Sequence, residues 1–208
     1  MPRAHVSMWG SSGEWVPPAG GGTLRSDNFN RANEDPLNVP SDGGSAWVEL
    51  LGTDWNVNGN VARIGGVVWT PAVTYLEASN SNVIVKAKMT AAPSSPNSNW
   101  GLTARIVDAD NHWRVVYRIN VPDLALQKRV AGSFTTVGTP AAGSLSVNDE
   151  VSLEVNSSHQ WTVKVNGSPV ITGVTDSDNS SGTKHGLVAH FNSGPDTMSW
   201  DDFSVTAN

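Results

Sequence analysis

Cysteine is absent from the 208-residue chain, which excludes disulfides, thiolate metal sites and thiol nucleophiles. Charged residues are scarce, at 15% of the sequence, whereas an average globular domain has about 25%. This composition argues against a helical bundle or a coiled coil. No run of about 18 apolar residues occurs, so we expect no membrane span. The net charge of −6 argues against nucleic-acid binding.

Tryptophan, glycine and proline are abundant instead. The chain contains 9 Trp against 2 Tyr and 4 Phe, together with 20 Gly and 12 Pro. Hydrophobic residues make up 38% of the sequence, which is enough to build a core and argues against wholesale disorder. The length indicates one domain, or one domain plus an arm.

Residues 1–22 differ from the rest of the chain, because they mix Gly, Ser and Pro and show no periodicity. They lack the apolar core of a secretory signal peptide, so we expect no secretion signal. Trp9 and Trp15 are aromatic anchors of the kind that dominate binding interfaces. The segment is therefore interpreted as an extended docking arm for another protein, and the alternative is that it folds back on its own domain.

From residue 23 to residue 208 the pattern is that of β-strands. Period-two alternation predicts half-buried antiparallel strands, and the Asn58-Gly59 and Asn166-Gly167 pairs predict type I′ hairpin turns. No amphipathic helix is visible, so we predict an all-β, antiparallel, two-sheet jelly-roll sandwich. The alternating segments are 83–89, 102–106, 113–119, 151–155 and 161–165.

The two ends of the predicted domain carry similar motifs, Asp-Asn-Phe at residues 27–29 and Asp-Asp-Phe at residues 201–203. A sandwich often closes by pairing its first and last strands. We therefore expect these strands to pair and both Phe29 and Phe203 to point into the core.

Charge is distributed unevenly along the chain. Residues 83–131 contain seven basic and three acidic residues, a net charge of +4, while the remainder has six basic and 16 acidic residues, a net charge of −10. The basic middle is interpreted either as a face for a partner or as cations that pair with acids on neighbouring strands.

Candidate carbohydrate-binding residues lie in this basic middle. Trp100 follows a polar segment, which favours an exposed ring that stacks on a sugar, although it also fits a core residue at the rim. Arg105, Arg114 and Arg118 lie opposite the predicted apolar faces, where they would form one basic patch for an anionic host cell-wall glycan. The other domain tryptophans are assigned to the core or to strand edges: Trp47, Trp55, Trp69, Trp113, Trp161 and Trp200.

Calcium is the one cofactor that we consider. Asp108, Asp110 and Asn111 offer hard oxygen ligands in one predicted turn, and residues 176–179 offer a similar set. The alternative is that these side chains only stabilise turns. His185 and His190 lie five residues apart and so face opposite sides of a strand, which argues against a shared metal.

Catalytic motifs are missing. The Glu-x-Asp-x-Glu pattern of jelly-roll glycosidases does not occur. The Gly-x-Ser-x-Gly turn of hydrolases with a serine nucleophile is also missing. We therefore expect no enzymatic activity.

Several segments together resemble a known family. The opening DNFNRAN, the middle GLTARIVDADNHWRVVYRI and the closing HGLVAHFNSGPDTMSWDDFSV are similar to concanavalin A-like jelly rolls of the laminin-G-like type, in particular those of bacteriophage minor tail and tail-fibre proteins. The resemblance covers residues 24–206. It implies two curved antiparallel sheets and, frequently, carbohydrate binding, although a fold does not determine a function.

The resulting hypothesis is a non-enzymatic bacteriophage virion structural protein, either a minor tail or fibre component or a capsid decoration. Residues 1–22 would bind other virion proteins, and the jelly roll would bind host surface glycans. The expected location is the virion, after synthesis in the host cytoplasm, and a homo-oligomer is one possible state. The alternatives are a stand-alone carbohydrate-binding module and a glycoside hydrolase-like enzyme.

Overall fold

The computed structural model describes residues 21–52, 55–65, 71–92, 98–190 and 198–208. Within these ranges the chain forms β-strands connected by turns and loops. No helix in the described part of the chain is long and apolar enough to cross a membrane. The strands, in chain order, are β1 (Thr23–Asp27), β2 (Val48–Leu51), β3 (Trp55–Val57), β4 (Ala62–Ile64), β5 (Ala72–Glu77), β6 (Val83–Ala91), β7 (Asn99–Asp108), β8 (Asn111–Arg118), β9 (Asp123–Val130), β10 (Ser133–Thr136), β11 (Ala141–Ala142), β12 (Glu150–Val155), β13 (Gln160–Val165), β14 (Ser168–Thr175), β15 (Lys184–His190) and β16 (Ser199–Ala207).

The strands form two eight-stranded antiparallel sheets. Sheet A has the order β14-β13-β12-β6-β16-β4-β3, with β1 also paired to β16. Sheet B has the order β10-β9-β8-β7-β15-β5-β2, with β11 also paired to β9. Neighbours in the sheets are frequently distant in sequence, as for β6 between β12 and β16. The predicted all-β, two-sheet antiparallel sandwich is confirmed.

The core lies between the sheets and is rich in tryptophan. Trp113 of sheet B and Trp161 of sheet A stack with their ring centroids 4.2 Å apart. The predicted core positions of Trp47, Trp55, Trp113, Trp161 and Trp200 are confirmed, since each is at most 5% exposed. Trp69 lies outside the described residues.

The first and last strands close sheet A as predicted. Asp27 of β1 pairs with Phe203 of β16 in antiparallel register. Phe29 and Phe203 are both buried, and the ring of Trp47 lies between them, with centroid distances of 5.9 Å and 4.9 Å.

A fully buried carboxylate organises the segment after β1. Asp27 Oδ1 accepts hydrogen bonds from the backbone N–H of Phe29 at 2.9 Å, from Arg31 Nη1 at 2.6 Å and from the backbone N–H of Ser41 at 3.3 Å. Asp27 Oδ2 accepts one from Trp47 Nε1 at 2.7 Å. The Asp-Asn-Phe-Asn-Arg motif thus fixes the loop that covers this end of the core.

One of the two predicted hairpin turns is as expected and the other is displaced. Asn166 and Gly167 connect β13 to β14 with φ angles of 50° and 77°, as a type I′ turn requires. In the hairpin between β3 and β4, the residues with positive φ are Gly59 and Asn60, at 68° and 63°. The prediction that Asn58 and Gly59 occupy the centre of that turn is wrong by one residue.

Candidate functional site

The outer face of sheet B carries buried apolar residues, which is unusual for a sheet face turned away from the core. In β8, Trp113, Val115 and Tyr117 belong to the core between the sheets, so Val116 points outward. We call this second cluster the apolar stripe; its members are at most 1% exposed, and they are Val73, Ile106, Val116, Ala125 and Val188.

A line of mostly polar residues runs beside the apolar stripe across six strands. Each member is the register partner of the next one, so their side chains share the outer face of sheet B. We call this line the outer row. From β10 to β5, it consists of Thr136, Gln127, Arg114, Thr103, Gly186 and Tyr75.

Arg114 is the charged member of the outer row. Its Nε donates a hydrogen bond to Gln127 Oε1 at 2.9 Å, and its guanidinium carbon lies 3.6 Å from the centroid of the Phe134 ring. Only 9% of the residue is exposed. Burial, followed by repulsion from Arg129, lowers the pKa of Arg114 to about 9.

Arg118 lies on the same face of β8, on the other side of Val116. Its Nε and Nη2 donate to the two carboxylate oxygens of Asp123, at 2.7 Å and 2.5 Å. These hydrogen bonds raise the pKa of Arg118. Arg118 is therefore paired within the protein, unlike Arg114.

Arg105 does not join this face, and the prediction of one patch of three arginines is wrong. Its φ of 48° marks a bulge that interrupts the register between β7 and β15. The fully buried side chain donates to Ser81 O at 2.8 Å and to Asn82 Oδ1 at 3.0 Å, and it lies 5.3 Å from the Trp161 ring. Burial lowers the pKa of Arg105.

Trp100 is also placed differently from the prediction of an exposed ring. It has no exposed surface and belongs to the core between the sheets, so that prediction is wrong and the core alternative fits. The available signal was the alternation itself: Trp100 precedes Leu102 and Ala104 by steps of two and so shares their inward face.

His112 lies beneath the outer face near Arg114. Its ring packs against the edge of Phe134, with centroids 5.8 Å apart, and neither ring nitrogen has a hydrogen-bond partner. Burial, then the charges of Arg114 and Arg129, lower the pKa of His112 to about 4. The nearby Asp108 opposes this shift only in part.

His185 and His190 lie on opposite faces of β15, as predicted. His185 is fully buried. Its Nδ1 accepts a hydrogen bond from the backbone N–H of Arg105 at 3.2 Å, so Nε2 carries the proton that is donated to Asn80 O at 2.8 Å. Burial lowers the pKa of His185 to about 4.

The two candidate calcium loops are held by contacts within the protein. Asp108 Oδ1 accepts hydrogen bonds from the backbone N–H of Asp110 and from Asn111 Nδ2, each at 2.8 Å. These contacts fit the alternative in which the side chains only stabilise a turn. Asp176 and Asp178 both bind the Lys128 ammonium group. The described residues contain no group of three or more His, Cys, Asp or Glu that could hold a metal.

The pairing interpretation of the basic middle holds for most of its cations. Arg105 and Arg114 have no carboxylate partner among the described residues, and Lys88 forms no ion pair there, although its charge acts on Asp201. The ion pairs are Lys86 with Glu150, Arg118 with Asp123, Lys128 with Asp176 and Asp178, and Arg129 with Asp110.

The residues of this face that the sequence predictions do not name include Tyr75, Gln127 and Phe134. Tyr75 and Gln127 belong to the outer row, and Phe134 lies against Arg114 from β10. No motif marks them. Gln127 and Phe134 reach Arg114 through the register of the consecutive strands β8, β9 and β10, whereas Tyr75 comes from a strand distant in sequence.

Comparison with solved structures establishes the fold. A GH43 protein, BlXynB from Bacillus licheniformis, matches with a TM-score of 0.66 and 14% identity, over 88% of this chain and 39% of that chain. An O-glycanase structure from human gut microbiota matches with a TM-score of 0.62 and 7% identity, over 89% of this chain and 99% of that one. LamAcat from Zobellia galactanivorans matches with a TM-score of 0.53 and 11% identity, over 88% of this chain and 97% of that chain.

These similarities show the fold alone, a jelly-roll sandwich of the concanavalin A-like type. The chain spans 39% of the length of the GH43 protein. No protein-family model and no curated protein sequence matches the chain. The comparisons do not support a link to bacteriophage. Trp9 and Trp15 lie outside the described residues, so the docking arm stays a prediction.

Proposed function

We propose that this chain is a non-catalytic glycan-binding module whose ligand lies across the outer face of sheet B. The observation that carries the proposal is the set of solvent-accessible rings and planar polar groups on this face, namely Phe134, Tyr75 and Gln127. Sugar rings have apolar faces and a rim of hydroxyl groups, and this arrangement offers apolar contact together with planar polar groups. A glycan ligand is supported by the proteins of similar fold, which include an O-glycanase of mucin breakdown and a GH43 protein.

A glycan array probed with the full chain tests the proposal, followed by titration calorimetry on each hit. We expect Gln127→Ala to weaken binding about two- to tenfold, since it removes one planar hydrogen-bonding group from the outer row. Gln160→Ala is the matched control, because Gln160 lies in β13 of sheet A. Equal loss in both variants, or no glycan bound at all, would contradict the proposal.

The non-catalytic part of the proposal needs its own measurement. Each glycan that binds is incubated with the protein, and the products are separated by chromatography. Intact glycan after prolonged incubation supports a binding module. Release of shorter products would favour the glycoside hydrolase-like alternative.

A location in a bacteriophage virion is a second proposal, favoured by the two tryptophans in the Gly-, Ser- and Pro-rich segment 1–22. Deletion of residues 1–22 should abolish incorporation into particles, as measured by immunoblotting of purified virions. Normal incorporation of the truncated protein would exclude the docking arm.

A further inference from the structure

The charges on the outer face of sheet B leave one cation without a counter-charge. Arg118 is paired with Asp123, and Arg129 is paired with Asp110 at 3.0 Å. Lys184 is the register partner of Glu77. Burial raises the pKa of Glu77, but hydrogen bonds and then the charge of Lys184 lower it, so that the pKa is lowered overall. Among these face residues, Arg114 is the one with neither an ion pair nor an acidic register partner in the described part of the chain.

The free edge of the Arg114 guanidinium is held in a fixed orientation. Its Nε donates a hydrogen bond to Gln127 Oε1, and its guanidinium carbon lies 3.6 Å from the centroid of the Phe134 ring. The two terminal nitrogens have no hydrogen-bond partner in the described residues, and neither is sealed from solvent. Two parallel N–H groups on such an edge match the two oxygens of a carboxylate.

The groups beneath and beside Arg114 also lack negative charge. His112 is fully buried with both ring nitrogens unpartnered. The Thr103 hydroxyl donates to Trp113 O at 2.8 Å, and Thr136 accepts from Gln127 at 3.2 Å. A nine-tenths buried guanidinium with these neutral neighbours and the repelling charge of Arg129 nearby is electrostatically unfavourable until an anion binds it.

We infer that the glycan bound at this face is acidic, and that the carboxylate of a uronic acid residue binds the two terminal nitrogens of Arg114. This inference rests on the proposed function and specifies the ligand class of the same site. The Phe134 ring packs against the same guanidinium and is 37% exposed. One sugar unit therefore reaches both the guanidinium and this ring.

Titration calorimetry with uronic acid tetramers tests the inference. Oligomers of galacturonate, mannuronate and glucuronate are compared with their methyl esters, which keep the backbone and lose the charge. We expect at least one acid to bind about tenfold or more tightly than its ester. Arg114→Gln should abolish this preference, whereas Lys88→Gln, which removes the same charge from sheet A, should preserve it.

The outcomes separate the inference from the proposed function. Equal affinity for acid and ester overturns the acidic ligand and leaves the glycan-binding module standing. No binding of acidic or neutral glycans overturns both. Tighter, Arg114-dependent binding of a sulfated tetramer overturns the uronic acid assignment in favour of a sulfate group.

A measurement on the unchanged protein covers the case in which Arg114→Gln fails to fold. In ¹⁵N-resolved NMR spectra, the Arg114 Nε–H resonance should shift on addition of the binding uronate and stay in place with its methyl ester. An unmoved resonance at saturating uronate would overturn the inference.

Discussion

Lowering the pH should destabilise this protein through His185. The folded environment lowers the pKa of this ring from 6.5 to about 4, with burial as the first cause. The native state therefore binds fewer protons than the unfolded state between these values. The stability contributed by neutral His185 is complete above pH 6.5 and is lost as the pH falls towards 4.

The structure gives the magnitude of this loss. Since one pKa unit corresponds to about 1.4 kcal/mol, the shift is worth about 3 kcal/mol over its full range and about 2 kcal/mol between pH 7.5 and pH 5. The hydrogen bonds explain the direction: a proton on Nδ1 would point at the backbone N–H of Arg105, which now donates to that atom.

Urea unfolding at pH 7.5 and pH 5 measures the effect in the wild type and in His185→Gln. The glutamine can accept from Arg105 and donate to Asn80, but it does not titrate. The variant should therefore lose about 2 kcal/mol less than the wild type over this interval. His112 also has a pKa of about 4, but its share is common to both proteins and cancels. An unchanged pH dependence in His185→Gln would refute the reasoning.

Two further predictions concern stability at neutral pH. Asp27→Ala should cost about 3–5 kcal/mol in urea unfolding, because it leaves Arg31 and Trp47 without their buried acceptor; the exposed neighbour Asn28, changed to Ala, should cost less than about 1 kcal/mol. Gly167→Ala should cost about 1–2 kcal/mol from backbone strain alone, since φ is +77° and a Cβ would meet no atom within 4 Å. Gly22→Ala, with equal space and no positive φ, is the matched control. Equal stability of the two glycine variants, or a small effect at Asp27, would contradict these assignments.

Alternation alone predicted the sandwich and most of its core. Leu153 and Val163 are register partners in sheet A, as their period-two segments required. Antiparallel strands with one apolar face have few other ways to bury that face. The same rule, extended by one step from Leu102, would also have placed Trp100 in the core.

The residues of the outer face were harder to predict from the sequence, because one bulge changes which side chains point to that face. Before Arg105, β7 points Leu102 and Ala104 inward; after it, Ile106 points to the outer face. A shift of one residue moves every following side chain to the other face. Arginine with positive φ carries no sequence signal of the kind that Gly or Asn provides, so Arg105 was assigned to the wrong side.

The Arg114 site depends on pairings that no local pattern reveals. Tyr75 joins the outer row only because β15 inserts between β5 and β7, and the register that places Thr103 and Gln127 beside Arg114 is not encoded in any single strand. Local reasoning correctly placed Arg114 and Arg118 on one face of β8. It could not show that Asp123 neutralises Arg118 while Arg114 keeps a free edge.

The pairing of β1 with β16 determines how the domain is presented to its surroundings. Thr23 is the register partner of Thr206, so the chain enters and leaves the sandwich side by side, and both positions belong to sheet A. Anything tethered at either position is attached to the layer opposite the outer row. A tether there leaves the face of Arg114 directed away from the point of attachment, which is the orientation in which a surface-bound domain meets a ligand arriving from solution.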